Sequence, residues 1–201
     1  MSERDTYRTI QNPSEGSFRD RGSKFLAFVF PVETTKEIKE ILNTLRKQYH
    51  DARHHCFAYR LGAEKEIYRT SDDGEPSGSA GNPILGQIKS HDLSNILIVV
   101  VRYFGGTKLG VGGLIHAYRT AAACAIQHAR IITAVEQDLI EIIFPYSLMN
   151  EVMKFIREEG MKIMEQEFGD SCQFKCLIRK SHTSRALARC SHRKEISLHR
   201  L

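Results

Sequence analysis

Four consecutive stretches decide the reading of this chain: ARHHCFAYRLG at residues 52–62, YRTSDDGEPSGSAGNPILGQI at 68–88, ILIVVVRYFGG at 96–106 and TKLGVGGLIHAYRTAA at 107–122. The third opens with six apolar, mostly β-branched residues, Ile96 to Val101, which fits a central strand covered on both faces. Arg102, Tyr103 and Phe104 stand where that strand emerges. The glycines at 105, 106, 110, 112 and 113 follow, and from Leu114 to Arg130 alanines and other good helix formers dominate. The order is therefore strand, glycine loop, helix, and the amides at the start of such a helix can hold an anion.

Outward from this block, KFLAFVFP at 24–31 reads as a buried strand stopped by proline. Thr34 with Glu37 forms a capping box, and Ile38, Ile41, Leu42, Leu45 and Tyr49 then share one face of a helix. Residues 55–61 alternate as a strand with 66–70 as its hairpin partner, and the polar stretch 71–86 reads as a long loop. A second unit begins near residues 131–135, which places the domains at 1–133 and 134–201. There, 137–144 is a strand, Ser147 caps a helix that Gly160 ends, and 162–168 with 171–178 form a hairpin. That is β-α-β-β, the first part of a ferredoxin-like domain. Its closing helix and strand fall to residues 183–191 and 195–201.

Hydrophobic residues make up 41% of the 201, enough for a real core, and no run approaches the roughly 18 apolar residues of a membrane span. The start, MSERDTYRTI, lacks the apolar region of a secretory signal, so the cytoplasm is the expected compartment. Cys56, Cys124, Cys172, Cys176 and Cys190 are odd in number and scattered, as reduced thiols are. Cys176 and Cys190 with His182 and His192 suggest zinc, but Cys172, Phe174, Cys176 and Ile178 also share one strand face, and packing is the preferred reading. The net charge of +5 is local: after Cys176 seven cations meet one carboxylate, a net of +6, and the rest of the chain is near neutral at −1. The tail alone makes the protein basic, and it is one candidate for nonspecific RNA binding.

Asp72, Asp73 and Glu75 beside Gly74 could raise one another's pKa or share a cation such as magnesium; they could equally cap turns. His54 and His55 open a strand and point to opposite faces, so they cannot form one two-ligand site. Gly105, Gly106, Gly110, Gly112 and Gly113 with Lys108 resemble a phosphate cradle without the P-loop spacing, and Arg102 and Arg119 would add positive charge. The plain alternative is a tight crossover. Tyr103 and Phe104 fit a base, a protein partner or the core, and Arg60 and Arg69 would extend a basic rim.

The block as a whole, with RYFGG followed by LGVGGLIHAYRTA, closely resembles the YigZ/IMPACT family of small cytoplasmic proteins, strongly over about residues 19–129 and more weakly to about 178. The resemblance implies an α+β protein of two domains: an N-terminal one with the fold of the second domain of ribosomal protein S-five, and a ferredoxin-like one similar to a C-terminal domain of elongation factor G. It also implies a link to translation, since eukaryotic IMPACT proteins regulate translation by binding the activator of an initiation-factor kinase. One segment departs from the pattern. Members of this type end in an amphipathic, often acidic stretch, whereas this chain is rich in arginine, histidine and serine after residue 177, through a basic end of its own or a shift of reading frame. The expected function is noncatalytic: binding of a ribosome-associated protein or RNA through residues 52–123. The candidate contact residues are those named in the preceding paragraph, with no catalytic residue, metal or cofactor assigned. The alternative is an enzyme that acts on a phosphorylated or nucleotide-like small molecule with a divalent cation.

Overall fold

Ile96 to Val101 are fully buried because the strand they form has helices on both sides. The computed structural model describes residues 5–190 and 195–201 and divides into two compact units, Tyr7–Ala134 and Val135–Leu201, the latter joined by Asp5 and Thr6. The first unit runs β1 (Thr6–Ile10), β2 (Ser14–Asp20), β3 (Ser23–Pro31), α1 (Thr35–Gln48), β4 (His54–Leu61), β5 (Ile67–Ser71), α2 (Gly81–Ser90), β6 (Ile96–Tyr103), α3 (Gly110–Gln127) and β7 (Ile131–Val135). Its five-stranded sheet has the order β2-β3-β6-β4-β5 and is antiparallel throughout; β1 pairs with β7 apart from it.

Alternation divides the core into two layers. Phe25, Ala27, Cys56, Ala58, Ile98 and Val100 face α2 and α3, while Phe28, Phe57, Leu97, Val99 and Val101 face α1. The Thr34 hydroxyl accepts the Glu37 amide at 3.2 Å, and the Glu37 carboxylate accepts the Glu33 amide at 2.9 Å, so α1 starts where the capping residues place it. Gly16 lets α3 lie against β2, since a Cβ there would overlap the Ala125 backbone.

Two boundaries in the first unit differ from the sequence reading. The stretch 71–86 is a loop only as far as Ala80, because the Asp72 carboxylate accepts amides at the start of α2 and so allows a helix to begin at Gly81. Helix α3 begins at Gly110, one turn before Leu114, because Gly112 and Gly113 take helical backbone.

The second unit contains β8 (Gln137–Phe144), α4 (Met149–Glu158), β9 (Lys162–Phe168), β10 (Cys172–Arg179), α5 (Lys180–Cys190) and β11 (Ser197–Arg200). Strand order β11-β8-β10-β9, antiparallel throughout, is the ferredoxin-like 4-1-3-2 arrangement. A 3-10 turn at Tyr146–Leu148 leads into α4, and Ser147 makes no capping bond. Gly160 ends that helix region with φ +66. Cys172, Phe174, Cys176 and Ile178 are all buried on one face.

The basic tail closes this unit. Arg179 forks onto Asp5 at 2.8 and 2.9 Å, Lys180 meets Glu136 at 2.8 Å, Arg185 meets Glu159 at 2.7 Å, Arg189 pairs with Glu158 and Glu159, and Arg200 meets Asp138 at 2.8 Å. Arg179 and the Ser181 amide hold the Asp5 carboxyl well below the usual carboxylate range, against burial, at the start of α5. Five of the seven tail cations are thus engaged within the unit; His192, Arg193, Lys194 and the end of the helix expected at Ser191 lie outside the described residues.

Candidate functional site

The loop between β5 and α2 turns sharply at Asp73 and Gly74, both at positive φ (+42 and +88), with the Glu75 amide donating to the Asp72 carbonyl at 2.9 Å. This is the Asp-Gly type I′ turn, and it sends three neighbouring carboxylates in three directions. Asp72 Oδ1 accepts the amides of Ala80 and Gly81 at 3.0 and 2.8 Å, and Oδ2 accepts that of Gly78 at 2.8 Å. Burial pushes the Asp72 pKa up, but the three amides outweigh it and hold the carboxyl below its ordinary value. The expectation that crowding raises a pKa in this trio therefore fails at Asp72.

Asp73 Oδ2 accepts the His55 amide at 2.7 Å, Oδ1 lies 3.5 Å from Arg46 Nη2, and the Asp73 carbonyl meets His54 Nδ1 at 2.8 Å. Glu75 turns inward. Its Oε1 accepts from Arg102 Nη1 at 2.6 Å and from the Tyr118 hydroxyl at 2.7 Å, with side-chain exposures of 4% for Glu75 and 7% for Arg102. The Arg102 guanidinium is flanked by the rings of Phe25 and Phe104, 5.5 and 5.6 Å from their centroids. Cys56 Sγ lies 3.3 Å from the Tyr118 hydroxyl and 3.0 Å from the Asp72 carbonyl. Burial drives the Cys56 thiol and the Tyr118 phenol far above their ordinary pKa values, so both stay protonated at neutral pH.

The sequence-derived candidates thus separate. Asp72, Glu75, His54 and Arg102 converge on one end of the α3-facing layer, whereas the Asp73 carboxylate turns toward Arg46 of α1 and the buried His55 on the opposite face, 3.9 Å from its Nδ1, and desolvation lowers the His55 pKa. Arg60 reaches the Lys65 and Leu93 carbonyls at 3.4 Å, and Arg69 lies exposed on the sheet's outer strand, so neither joins the convergence. The Tyr103 hydroxyl donates to Asp51 at 2.7 Å; that bond and burial push its pKa up to about 12. Phe104, Lys108 and Arg119 are exposed, and no ion pair to either cation occurs among the described residues. Among those residues, no group of three or more histidine, cysteine, aspartate or glutamate side chains is arranged to hold a metal ion. Tyr118 and Cys56, which link α3 and β4 to the acidic loop, were missed as site members; a lone tyrosine among the buried alanines of an amphipathic helix was the available signal.

The glycine loop does two jobs. Gly105 touches the β2–β3 turn so closely that a Cβ would overlap the Gly22 and Ser23 backbone, and its amide donates to the Ser23 hydroxyl at 3.1 Å. Gly106 and Gly110, at φ +88 and +70, face open space, as does Gly112, while Gly113 abuts Leu109. Gly105→Ala is expected to cost ~2–3 kcal/mol or displace the loop. Gly112→Ala, with helical backbone and free space, is expected to be neutral or to add up to about 0.5–1 kcal/mol. Parallel urea melts followed by circular dichroism separate the two; equal midpoints would remove the close packing at Gly105.

An antiparallel sheet with a glycine-rich loop ahead of a long helix, followed by a ferredoxin-like unit, defines a two-domain α+β protein. Residues 21–126 match the Impact N-terminal domain, and the chain belongs to the YigZ/IMPACT family. It is 32% identical to the IMPACT family member YvyE of Bacillus subtilis (strain 168), with 89% of this chain and 82% of that protein covered. It is 41% identical to the IMPACT family member YigZ of Escherichia coli (strain K12) over 48% of each chain. A crystal structure of a hypothetical protein shares the fold, with a TM-score of 0.74, 24% identity and 96% of both chains covered. Among the described residues no helix is long and apolar enough to cross a membrane.

Proposed function

We propose that this chain is a noncatalytic binding protein linked to translation, working in the cytoplasm without a cofactor and contacting a ribosome-associated protein or RNA through the surface of residues 52–123. The observation that carries this reading is the division of that block into inward and outward groups. Every side chain with acid, base or nucleophile chemistry in and beside the acidic loop is held by a protein partner: Asp72 by amides, Asp73 by the His55 amide and Arg46, Glu75 by Arg102 and Tyr118, Cys56 by Tyr118, His54 by the Asp73 carbonyl. What is left outward is an aromatic ring, Phe104 at 56% exposure, the cations Lys108 and Arg119, and open glycine backbone. That is the composition of a contact surface, which needs no nucleophile and base pair. The divalent-cation enzyme reading needs carboxylates open to a ligand, and each of the three already accepts from a protein donor.

The test is sedimentation of the whole protein with ribosomes at physiological salt, with and without ribonuclease, beside a Phe104→Ala, Lys108→Ala variant. Both side chains are exposed, and although the Phe104 ring flanks Arg102, the Glu75 and Phe25 contacts of that guanidinium stay in place, so the variant is expected to fold, which its circular dichroism spectrum checks. Wild-type co-sedimentation that falls about tenfold or more in the variant is expected. A folded wild type that associates with neither ribosomes, RNA nor translation factors sinks the reading.

A further inference from the structure

On the first unit's sheet, α2 and α3 cover one face, but α1 alone must cover the other. Its buried residues Ile38, Leu42 and Leu45 pack over the middle of the sheet, and the β2–β3 side is left partly open. Leu26, Phe30, Ile41 and Tyr49 are only half-buried there, although each packs against the core. The opening is a groove of about 340 Å³ between α1 and β3, floored by Phe28, Phe30, Ile41 and Leu45. It adjoins a second depression of about 360 Å³ that shares Glu15 and Phe28 and is walled by Leu26 and Tyr49. The Tyr49 ring lies 5.2 Å from that of Phe28, so the two depressions share one aromatic floor.

The charges on this groove are of one sign. Glu15 and Glu40 stand on its rim, both exposed; no lysine or arginine lines either depression, the one basic group there is His128 in the second, its Nδ1 2.8 Å from the Glu15 carbonyl, and no ion pair to either glutamate occurs among the described residues. An apolar floor with unpaired carboxylates at its edges complements a segment whose bulky apolar side chains are flanked by positive charge. It repels a phosphate backbone, which excludes RNA as the occupant of this face.

We propose that the groove between α1 and the β2–β3 side of the sheet is a docking site for a protein segment of bulky apolar residues flanked by lysine or arginine. The groove itself lies on the sheet face opposite the one that Phe104 and Arg102 occupy, and the second depression reaches round the β2 edge to Cys124 and His128 at the end of α3; neither is lined by Phe104 or Arg102, so this is a second binding surface that does not depend on the first. The apolar side chains of the partner fill the floor and supply most of the affinity, while the two glutamates set its polarity and speed encounter.

The probe is a short fluorescein-labelled peptide of leucine and isoleucine flanked by lysines, with a glutamate-flanked peptide of the same apolar residues as its counterpart. Fluorescence anisotropy with the whole protein is expected to favour the lysine-flanked peptide by about tenfold or more. Glu15→Lys with Glu40→Lys is expected to reverse that preference. Thr44→Trp, at an exposed position beside the floor, is expected to fill the groove and weaken the lysine-flanked peptide by about tenfold or more without unfolding the protein. The Phe104→Ala, Lys108→Ala variant is expected to bind the peptide as wild type does, which separates failure here from failure of the ribosome-contact reading. Equal binding of both peptides, or binding that Thr44→Trp leaves unchanged, overturns the proposal. So does concentration-dependent dimerisation lost in Thr44→Trp without peptide binding, which assigns the groove to a second copy of the chain.

Discussion

Arg102→Ala is expected to destabilise the first unit by about 3–5 kcal/mol, the range seen when one member of a buried ion pair is removed and the other charge is left behind. Glu75 would retain only the Tyr118 hydroxyl, in a site where its side chain is 4% exposed and water cannot replace the guanidinium. The loss includes packing, because the guanidinium plane fills the space between Phe25 and Phe104. Charge and packing can be told apart by a cycle with Arg102→Met, Glu75→Gln and the double variant. Methionine restores most of the volume and glutamine removes the orphaned charge, so the double variant is expected to recover the greater part of the loss, with a coupling of roughly 2 kcal/mol. Urea unfolding followed by circular dichroism measures all four proteins. A cost below about 1 kcal/mol for Arg102→Ala would mean that the pair does not hold the acidic loop in solution.

How far the sequence carried the fold depends on the range of the interaction concerned. Strand β6 was legible because six consecutive buried residues leave a local trace, and α1 because Thr34 and Glu37 sit three apart beside a periodic apolar face. The tail was opaque for the opposite reason. Its arginines looked like a free cationic end, yet their partners Asp5, Asp138, Glu158 and Glu159 lie from 26 to 174 residues away in the chain. The β11–β8 pairing, the turn into α5 and the approach of α5 to the end of α4 bring those charges together, so five of the seven cations that suggested a nucleic-acid tail are ion-paired within a ferredoxin-like unit. The departure from the family pattern after residue 177 is thus compatible with closure of the domain. The acidic loop fell between these cases. Its location was readable from three carboxylates beside glycines, but the roles of Asp72 and Glu75 were not. Asp72 takes its meaning from amides six to nine residues on, and Glu75 from Arg102 and Tyr118, 27 and 43 residues on.

Asp72→Ala is expected to cost about 2–3 kcal/mol near neutral pH, since it removes a charged acceptor from three backbone amides at the start of a helix. Asp72→Asn is expected to recover little of this. Its single carbonyl oxygen can serve Ala80 and Gly81, but its amide group then opposes the Gly78 N–H, donor against donor. The pH dependence identifies the cause. The folded-state pKa of Asp72 lies below its unfolded value, so its contribution is complete above the unfolded carboxylate pKa of about 3.9 and is lost as pH falls through the lower folded value. The stability gap between wild type and Asp72→Ala is therefore expected to be flat from neutral pH down to about 5 and to close in stronger acid. Hydrogen exchange gives a local readout, with the amides of Gly78, Ala80 and Gly81 exchanging faster in the variant than those at the centre of β6. A gap that persists unchanged into strong acid would assign the loss to packing rather than to the carboxylate. Asp72 fixes the start of α2 and Glu75 fixes the same loop to α3, so the two substitutions should couple. Release of both anchors would then leave the α2–α3 layer without its tie to the acidic turn, while α1 and its own core remain in place.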